Sequence, residues 1–226
     1  MEGHIYKTFD LELKELKERL LYEGGLVEKA IENAIKALLE RNSELASKVI
    51  EDDDIINAKE VETDEFCLKL LALRQPAARD LRFITTAIKI NYDLERIGDL
   101  AVNICERVIE LNQEPQLKPY IDLPTMAKIA ELMVKESLDA FVREDVELAL
   151  KVTRDDESVD NLLDQIFREL LTYMMQDLRT ISRATRLLFI SKYLERMADH
   201  AVNIAELVIF MVEGKIIRHI KEVPQE

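Results

Sequence analysis

Four oxygen-bearing side chains, Glu95, Asp99, Asn103 and Glu106, recur one hundred residues later as Glu195, Asp199, Asn203 and Glu206. They sit in a sixteen-residue segment, 94–109, that returns at 194–209 with eleven identities and no gap. A duplicated core explains recurring apolar positions but not recurring Glu, Asp and Asn. On a helix the apolar set Leu94, Ile97, Ala101, Ile104 and Val108 faces the core, and the polar set falls at i, i+4, i+8 and i+11 on another face. Each like-charged i,i+4 pair costs about 0.2–0.5 kcal/mol in an isolated helix, so something should offset the repulsion. Hard cations would do so: all-oxygen carboxylate sets suit magnesium, calcium, manganese or iron, and several carboxylates can bridge more than one ion.

The helix before each motif supplies further acids at helical spacing, Asp53, Asn57, Glu60 and Asp64 in the first half and Asp156, Asp160 and Asp164 in the second. Reflecting the first hairpin about Gln75-Pro76 brings Asp53 level with Asp99 and Asn57 level with Glu95, because both helices rise equally per residue. A second hairpin turning near Leu178 brings Asp156 and Asp160 near the levels of Asp199 and Glu195. In antiparallel neighbours such stripes either converge on one groove or diverge together. If they converge, the metal ligands are Asp53, Glu60, Glu95 and Asp99 in one half and Asp156, Asp160, Glu195 and Asp199 in the other. The competing reading is a solvated ion-pair network in which Arg96 and Arg196 neutralise the acids.

Other candidates carry less. Asn103 and Asn203 fit equally as ligands, as partners of ligands or as buried amides bonded across a bundle. His200 has Leu100 as its counterpart and reads as a semi-buried imidazole. No Glu-x-x-His pair, phosphate-binding glycine loop or nucleophile elbow is present, so no catalytic machinery is visible.

The elements that must hold these residues are helices. Leu13, Leu16, Leu20, Leu26, Ala30, Ile31, Ala34 and Leu38 predict one long helix over 11–39, with a kink allowed at Gly24-Gly25. Asn42-Ser43 ends it and caps a short helix over 44–50, and the acid run Glu51-Asp52-Asp53-Asp54 reads as the first turn of a long helix reaching Arg74. Pro76 suits the first position of a third helix running to Leu111. After a polar linker over 112–119 the plan repeats: a helix over 124–142, a turn with a short helix over 143–153, and helices over 155–175 and 180–212 with Gly214 closing the last. The expected fold is all-α, six helices in two pseudo-symmetric up-down three-helix bundles, with domains at 1–113 and 114–226 and an amphipathic, then frayed, tail over 215–226.

Composition agrees with that fold and narrows the function. Five glycines and five prolines in 226 residues suit long helices. A net charge of −14 argues against nucleic-acid binding, which needs clustered Lys and Arg, and favours cations or basic partners. The opening Met1-Glu2-Gly3-His4 lacks the basic start and apolar core of a signal peptide, and the most apolar stretch, 207–212, is too short to span a bilayer. A cytoplasmic protein is expected. Cys67 and Cys105 lack a metal-type or redox-type neighbour and read as reduced core residues.

The run Leu71-Ala72-Leu73-Arg74-Gln75-Pro76-Ala77-Ala78-Arg79-Asp80-Leu81-Arg82, continuing through Ile88-Lys89-Ile90 into Asp93-Leu94-Glu95-Arg96-Ile97-Gly98-Asp99, resembles the PhoU family of phosphate-uptake regulators, and Glu195 to Glu206 resembles its second repeat. The resemblance implies two three-helix bundles with metal ions at Glu95, Asp99, Glu195 and Asp199. It also implies a non-enzymatic negative regulator of phosphate homeostasis that links a phosphate ABC transporter to a sensor histidine kinase and meets the membrane only through those partners. Two departures stand out: Asn57 where the family often has Asp, and Leu163 where the first repeat has Glu60. Two other readings stay open, a carboxylate-bridged metal-dependent hydrolase and a metal-free helical scaffold for a basic partner, as does pairing with a second copy to make a homodimer.

Overall fold

The computed structural model describes residues 2–76 and 78–214; the expected tail over 215–226 lies outside the described residues. Six α-helices make up most of the described residues: α1 (Glu2–Glu40), α2 (Ser43–Arg74), α3 (Ala78–Asn112), α4 (Asp122–Arg143), α5 (Val146–Gln176) and α6 (Ile181–Glu213), with a short 3-10 turn at Leu178–Thr180 before the last. Helices α1–α3 pack on one another as an up-down bundle, α4–α6 repeat it, and no strand occurs among the described residues. The all-α duplicated architecture is the one the sequence pattern implies.

Equivalent caps set the register of both halves. Arg41 (φ 52°) and Glu144 (φ 56°) are left-handed and close α1 and α4, with Asn42 N–H donating to Ala37 O and Asp145 N–H to Ala140 O, both at 2.9 Å. Asn42 and Asp145 then cap α2 and α5, their side-chain oxygens accepting from the Leu45 and Leu148 N–H groups at 3.0 Å. These pairs fix an offset of 103 residues between α1–α2 and α4–α5, so positions in the two halves can be matched one by one. The Arg41 side chain reaches across to the end of α3, donating to the carbonyls of Leu111, Asn112 and Glu114 at 3.3, 3.1 and 2.5 Å.

Three boundary expectations need correction. No break separates a short helix over 44–50 from the rest: α2 is one helix from Ser43, and 51–54 lie inside it. The expected turn and short helix over 143–153 are likewise the start of the single helix α5. In each case a lysine four residues earlier pairs with an acid of the run, Lys48 with Asp52 at 3.2 Å and Lys151 with Asp155 at 2.8 Å, which supports a helix interior. Pro76 is not the first residue of α3, which begins at Ala78; left-handed Gln75 (φ 46°) and Ala78 (φ 44°) turn the chain around it. The Gly24-Gly25 pair lies within unbroken α1, and a side chain on Gly24 would run into Leu138 of α4. Leu138 of α4 thus packs directly over that glycine.

Helices α3 and α6 lie side by side, α1 touches α4, and the buried apolar residues form one continuous cluster through both bundles. Phe83 of α3 stacks on Phe141 of α4 with centroids 5.2 Å apart. Arg186 of α6 pairs with Glu110 at 2.7 Å and Glu114 at 3.0 Å. Cys67 and Cys105 are buried thiols, each pushed up to about 12 by burial, which keeps them unreactive. No helix of the described residues is long and apolar enough to cross a membrane.

A buried carboxylate takes part in the polar contacts across this seam. His200 Nδ1 lies 2.8 Å from Oδ1 of Asp93, which is only 6% exposed. Replacing His200 by leucine, the residue its counterpart position carries, leaves the Asp93 carboxylate without that partner. The expected loss is about 1–3 kcal/mol, read as a lower midpoint in urea unfolding; an unchanged midpoint would mean that Asp93 finds water instead.

Candidate functional site

Asp53 of α2 is pressed against the motif on α3. Its Oδ2 accepts from Asn57 Nδ2 at 3.0 Å, and its Oδ1 is buried with no hydrogen-bond partner. A methyl group on Gly98, between Glu95 and Asp99, would stand 3.1 Å from that Oδ1 and 3.3 Å from Ile56 Cδ1. The second half carries Ala198 and Val159 at these two places, so a methyl gained on one helix is matched by one lost on the other. Gly98 is therefore a packing requirement of α2 against α3 that places Asp53 at the motif.

The carboxylates of this first set destabilise one another's ionised forms. Glu95 is raised above the ordinary glutamate range by burial first, then by Asp99, with Arg96 opposing and Glu60 and Asp53 adding to the rise. Asp53 is raised by burial, against the Asn57 hydrogen bond, and further by Asp99. Glu60 is raised by burial and by Asp64. Arg96 pairs with Asp99 and lies 3.9 Å from Glu95, so the ion-pair reading is realised for part of the set. Asn57, one of the departures from the family pattern, serves here as a neutral donor to Asp53.

The second set repeats the geometry with different balances. Asp156 Oδ1 is buried without a partner, like Oδ1 of its counterpart Asp53. The Asp156 carboxyl is pushed up to about 6 by burial, then by Asp160, Asp199 and Glu195. Asp199 is also raised, by burial, Glu195 and Asp160, with His200 and Lys192 opposing. Lys192 pairs with Glu195 at 3.2 Å. Asp164 turns to solvent and pairs with Arg168 at 3.8 Å. Asn203 and Glu206 face away from this set: with Glu60, Asp64, Asp93 and His200 they line a cleft of about 770 Å³ between the halves.

A buried acid escaped the sequence reading. Glu23 of α1 is 0% exposed, and neither carboxylate oxygen has a hydrogen-bond partner. Its carboxyl is pushed up to about 8 by burial, then by Glu60 and Glu95. The signal was present: Leu16, Leu20, Glu23, Val27, Ile31, Ala34 and Leu38 follow a core periodicity, and Glu23 occupies an apolar slot. His200, read as a semi-buried imidazole, is half-buried on Asp93 as described above.

As the side chains stand, no group of three or more His, Cys, Asp or Glu residues among those described is gathered closely enough to hold a metal ion. Arg96 and Lys192 draw acids of the two sets aside. The donor chemistry nevertheless suits a hard cation. Each half leaves the same buried aspartate oxygen unpartnered, and both aspartates, Asp53 and Asp156, are raised by burial first and then by neighbouring acids.

A PhoU domain matches residues 22–108 and again residues 123–208. The chain belongs to the PhoU family. It is 46% identical over 218 residues to a phosphate-specific transport system accessory protein PhoU homolog of Pseudomonas aeruginosa, spanning 96% of this chain and 90% of that protein. The homolog of Aquifex aeolicus is 46% identical over 208 residues, spanning 92% and 94%. The crystal structure of PhoU from Pseudomonas aeruginosa superposes with a TM-score of 0.88 at 46% identity, covering 92% of this chain and all of that one. Both sets of acids fall within the two PhoU matches, as do Glu23 and its counterpart Met126.

The raised carboxyls make the cation-free protein sensitive to pH in a definite direction. A carboxyl whose folded pKa lies above its unfolded one holds its proton more tightly in the fold, so its contribution is complete at low pH and is lost as pH rises. For Glu23 the window runs from 4.5 to about 8, and for Asp156 from 3.8 to about 6. Chelator-treated protein is expected to lose stability from pH 5 to pH 8, by at most about 1.4 kcal/mol per unit for each group, as measured by urea unfolding. Glu23→Met should flatten the part of the slope above pH 6; a wild-type profile that rises across this range would contradict the burial of these acids.

Proposed function

We propose that this PhoU-family chain is a non-enzymatic, cytoplasmic regulator of phosphate uptake. It couples a phosphate ABC transporter to a sensor histidine kinase and damps the phosphate-starvation response when phosphate is plentiful. The observation that carries the transport role is likeness over nearly the whole chain to proteins named as accessory to the phosphate-specific transport system. Docking on partner proteins suits a chain with a net charge of −14 and no nucleophile elbow or phosphate-binding glycine loop in its sequence.

The same reading assigns cations to the two acidic sets. Asp53, Glu60, Glu95 and Asp99 would hold them in the first half, and Asp156, Asp160, Glu195 and Asp199 in the second. A bound divalent ion would neutralise the clustered charge and offer open coordination positions to oxygen ligands of a partner. The residues' own part is to present oxygens from two helices at one level while Arg96 and Lys192 exchange partners. The pair of unpartnered aspartate oxygens supports this assignment.

Two measurements test the proposal. Co-purification of the chain with its cognate transporter and kinase is expected, and isothermal titration of cation-free protein with inorganic phosphate should show no binding; tight binding would mean that the chain senses phosphate itself. Asp156→Asn should raise the stability of chelator-treated protein at pH 8, because it removes a half-buried charge and its repulsion by neighbouring acids, and should weaken Mn²⁺ uptake. A substitution that lowers stability and leaves uptake unchanged would make these acids ordinary surface charges. Phosphoester turnover by Mn²⁺-loaded protein that disappears in an Asp99→Ala, Asp199→Ala double variant would replace the regulator with a hydrolase.

A further inference from the structure

The two halves differ at the inner end of their acidic sets, and the differences occur together. Glu23 of α1 is matched by buried Met126, and Glu60 of α2 by buried Leu163, at the common offset of 103. After burial, Glu60 is the first charge that raises the Glu23 carboxyl and Glu95 the next, which puts both within electrostatic reach of it. A third difference supports them. Asn91 Nδ2 donates to the Glu60 carbonyl at 2.8 Å and ties α2 to α3 at that level, whereas the counterpart Ser191 bonds within its own helix to Leu188 O at 2.8 Å.

We propose that Glu23, Glu60 and Glu95, one carboxylate from each helix of the first bundle, form a divalent-cation site that the second bundle lacks. Both Glu23 oxygens are fully buried and unpartnered, although a neutral side chain fills the same slot in the other half without difficulty. Protein hydrogen bonds do not account for Glu23. A hard divalent ion such as Mn²⁺ or Mg²⁺ would supply the missing partner once Glu60 and Glu95, both half-buried, turn towards it; as the side chains stand, the three carboxylates are not gathered closely enough to hold an ion. Glu95 would be shared with the acids common to both halves, which makes the first half the one that holds more ions. The proposal rests on the reading of the acidic sets as cation sites and adds to it a ligand from α1.

The test is a Mn²⁺ titration of the full chain after chelator treatment, with unbound Mn²⁺ followed by electron paramagnetic resonance. Wild type is expected to hold one tight ion more than Glu23→Met, and Glu23→Gln and Glu60→Leu should each weaken that ion at least tenfold. A Glu23→Met, Glu60→Leu double variant should be no worse than either single variant, and Asp199→Asn should leave this ion in place. Far-UV circular dichroism checks folding, which Met126 in the same environment leads one to expect for Glu23→Met. If wild type and Glu23→Met both bind and titrate alike, the Glu23 site is overturned while the shared sets stand. If wild type takes up no Mn²⁺, both fall.

Discussion

The constraint on which the molecule turns is the holding of like-charged carboxylates at one level, partly out of water, with fewer cationic side chains than charges. A helix pair does this only if its register is fixed, since a slip of one residue rotates a side chain by about 100° and removes it from the set. The left-handed caps at Arg41 and Glu144, the side-chain caps of Asn42 and Asp145, and the close approach of Gly98 to Asp53 and Ile56 supply that fixity. Length contributes as well: α2 and α5 are uninterrupted over 32 and 31 residues, so the acids sit in helix interiors, where backbone N–H groups are already bonded and cannot neutralise them.

Repulsion of this kind lowers stability, and the large core offsets it. The apolar cluster continues from one bundle into the other through α3 and α6, so neither half needs to be stable by itself. Phe83 on Phe141, Arg186 on Glu110, and His200 on Asp93 all cross between halves. The cleft beside His200 has acids from both bundles on its walls, with Glu60 belonging both to that cleft and to the first acidic set. A change of charge at Glu60 is thus felt on the seam as well as within its bundle.

Much of this was legible in the sequence, for identifiable reasons. The duplication could be read because its polar identities exceed what a core requires, and the helix count because apolar spacing and scarce glycine and proline leave no other element. The acid runs at 51–54 and 155–157 misled because acids favour both a helix start and an i,i+4 pair with a preceding lysine; which one holds depends on whether the chain continues upstream, and a local pattern does not say. Gly24 read as a kink because the packing of α4 against it lies more than one hundred residues away. Glu23 was missed because a search for acidic stripes looks for several acids on one helix, and Glu23 stands alone among leucines and valines. Testing each slot of the apolar stripe for an intruding charge would have found it.

The duplication provides its own control for that residue. Where two copies share a fold, a residue kept in one and replaced by a neutral one in the other is not required by the fold itself. Met126 fills the Glu23 slot at no exposure, and Leu163 fills the Glu60 slot beside it. A buried carboxyl without a hydrogen bond is worse for folding than a methionine of similar length, since it must either hold a proton against neutral pH or carry an uncompensated charge. The pair Glu23 and Glu60 therefore makes the first bundle less stable in isolation than the second bundle's arrangement would. A cation bound there, as proposed, would return part of that stability only while the ion is present, and the two halves would then differ in how strongly their packing depends on what they hold.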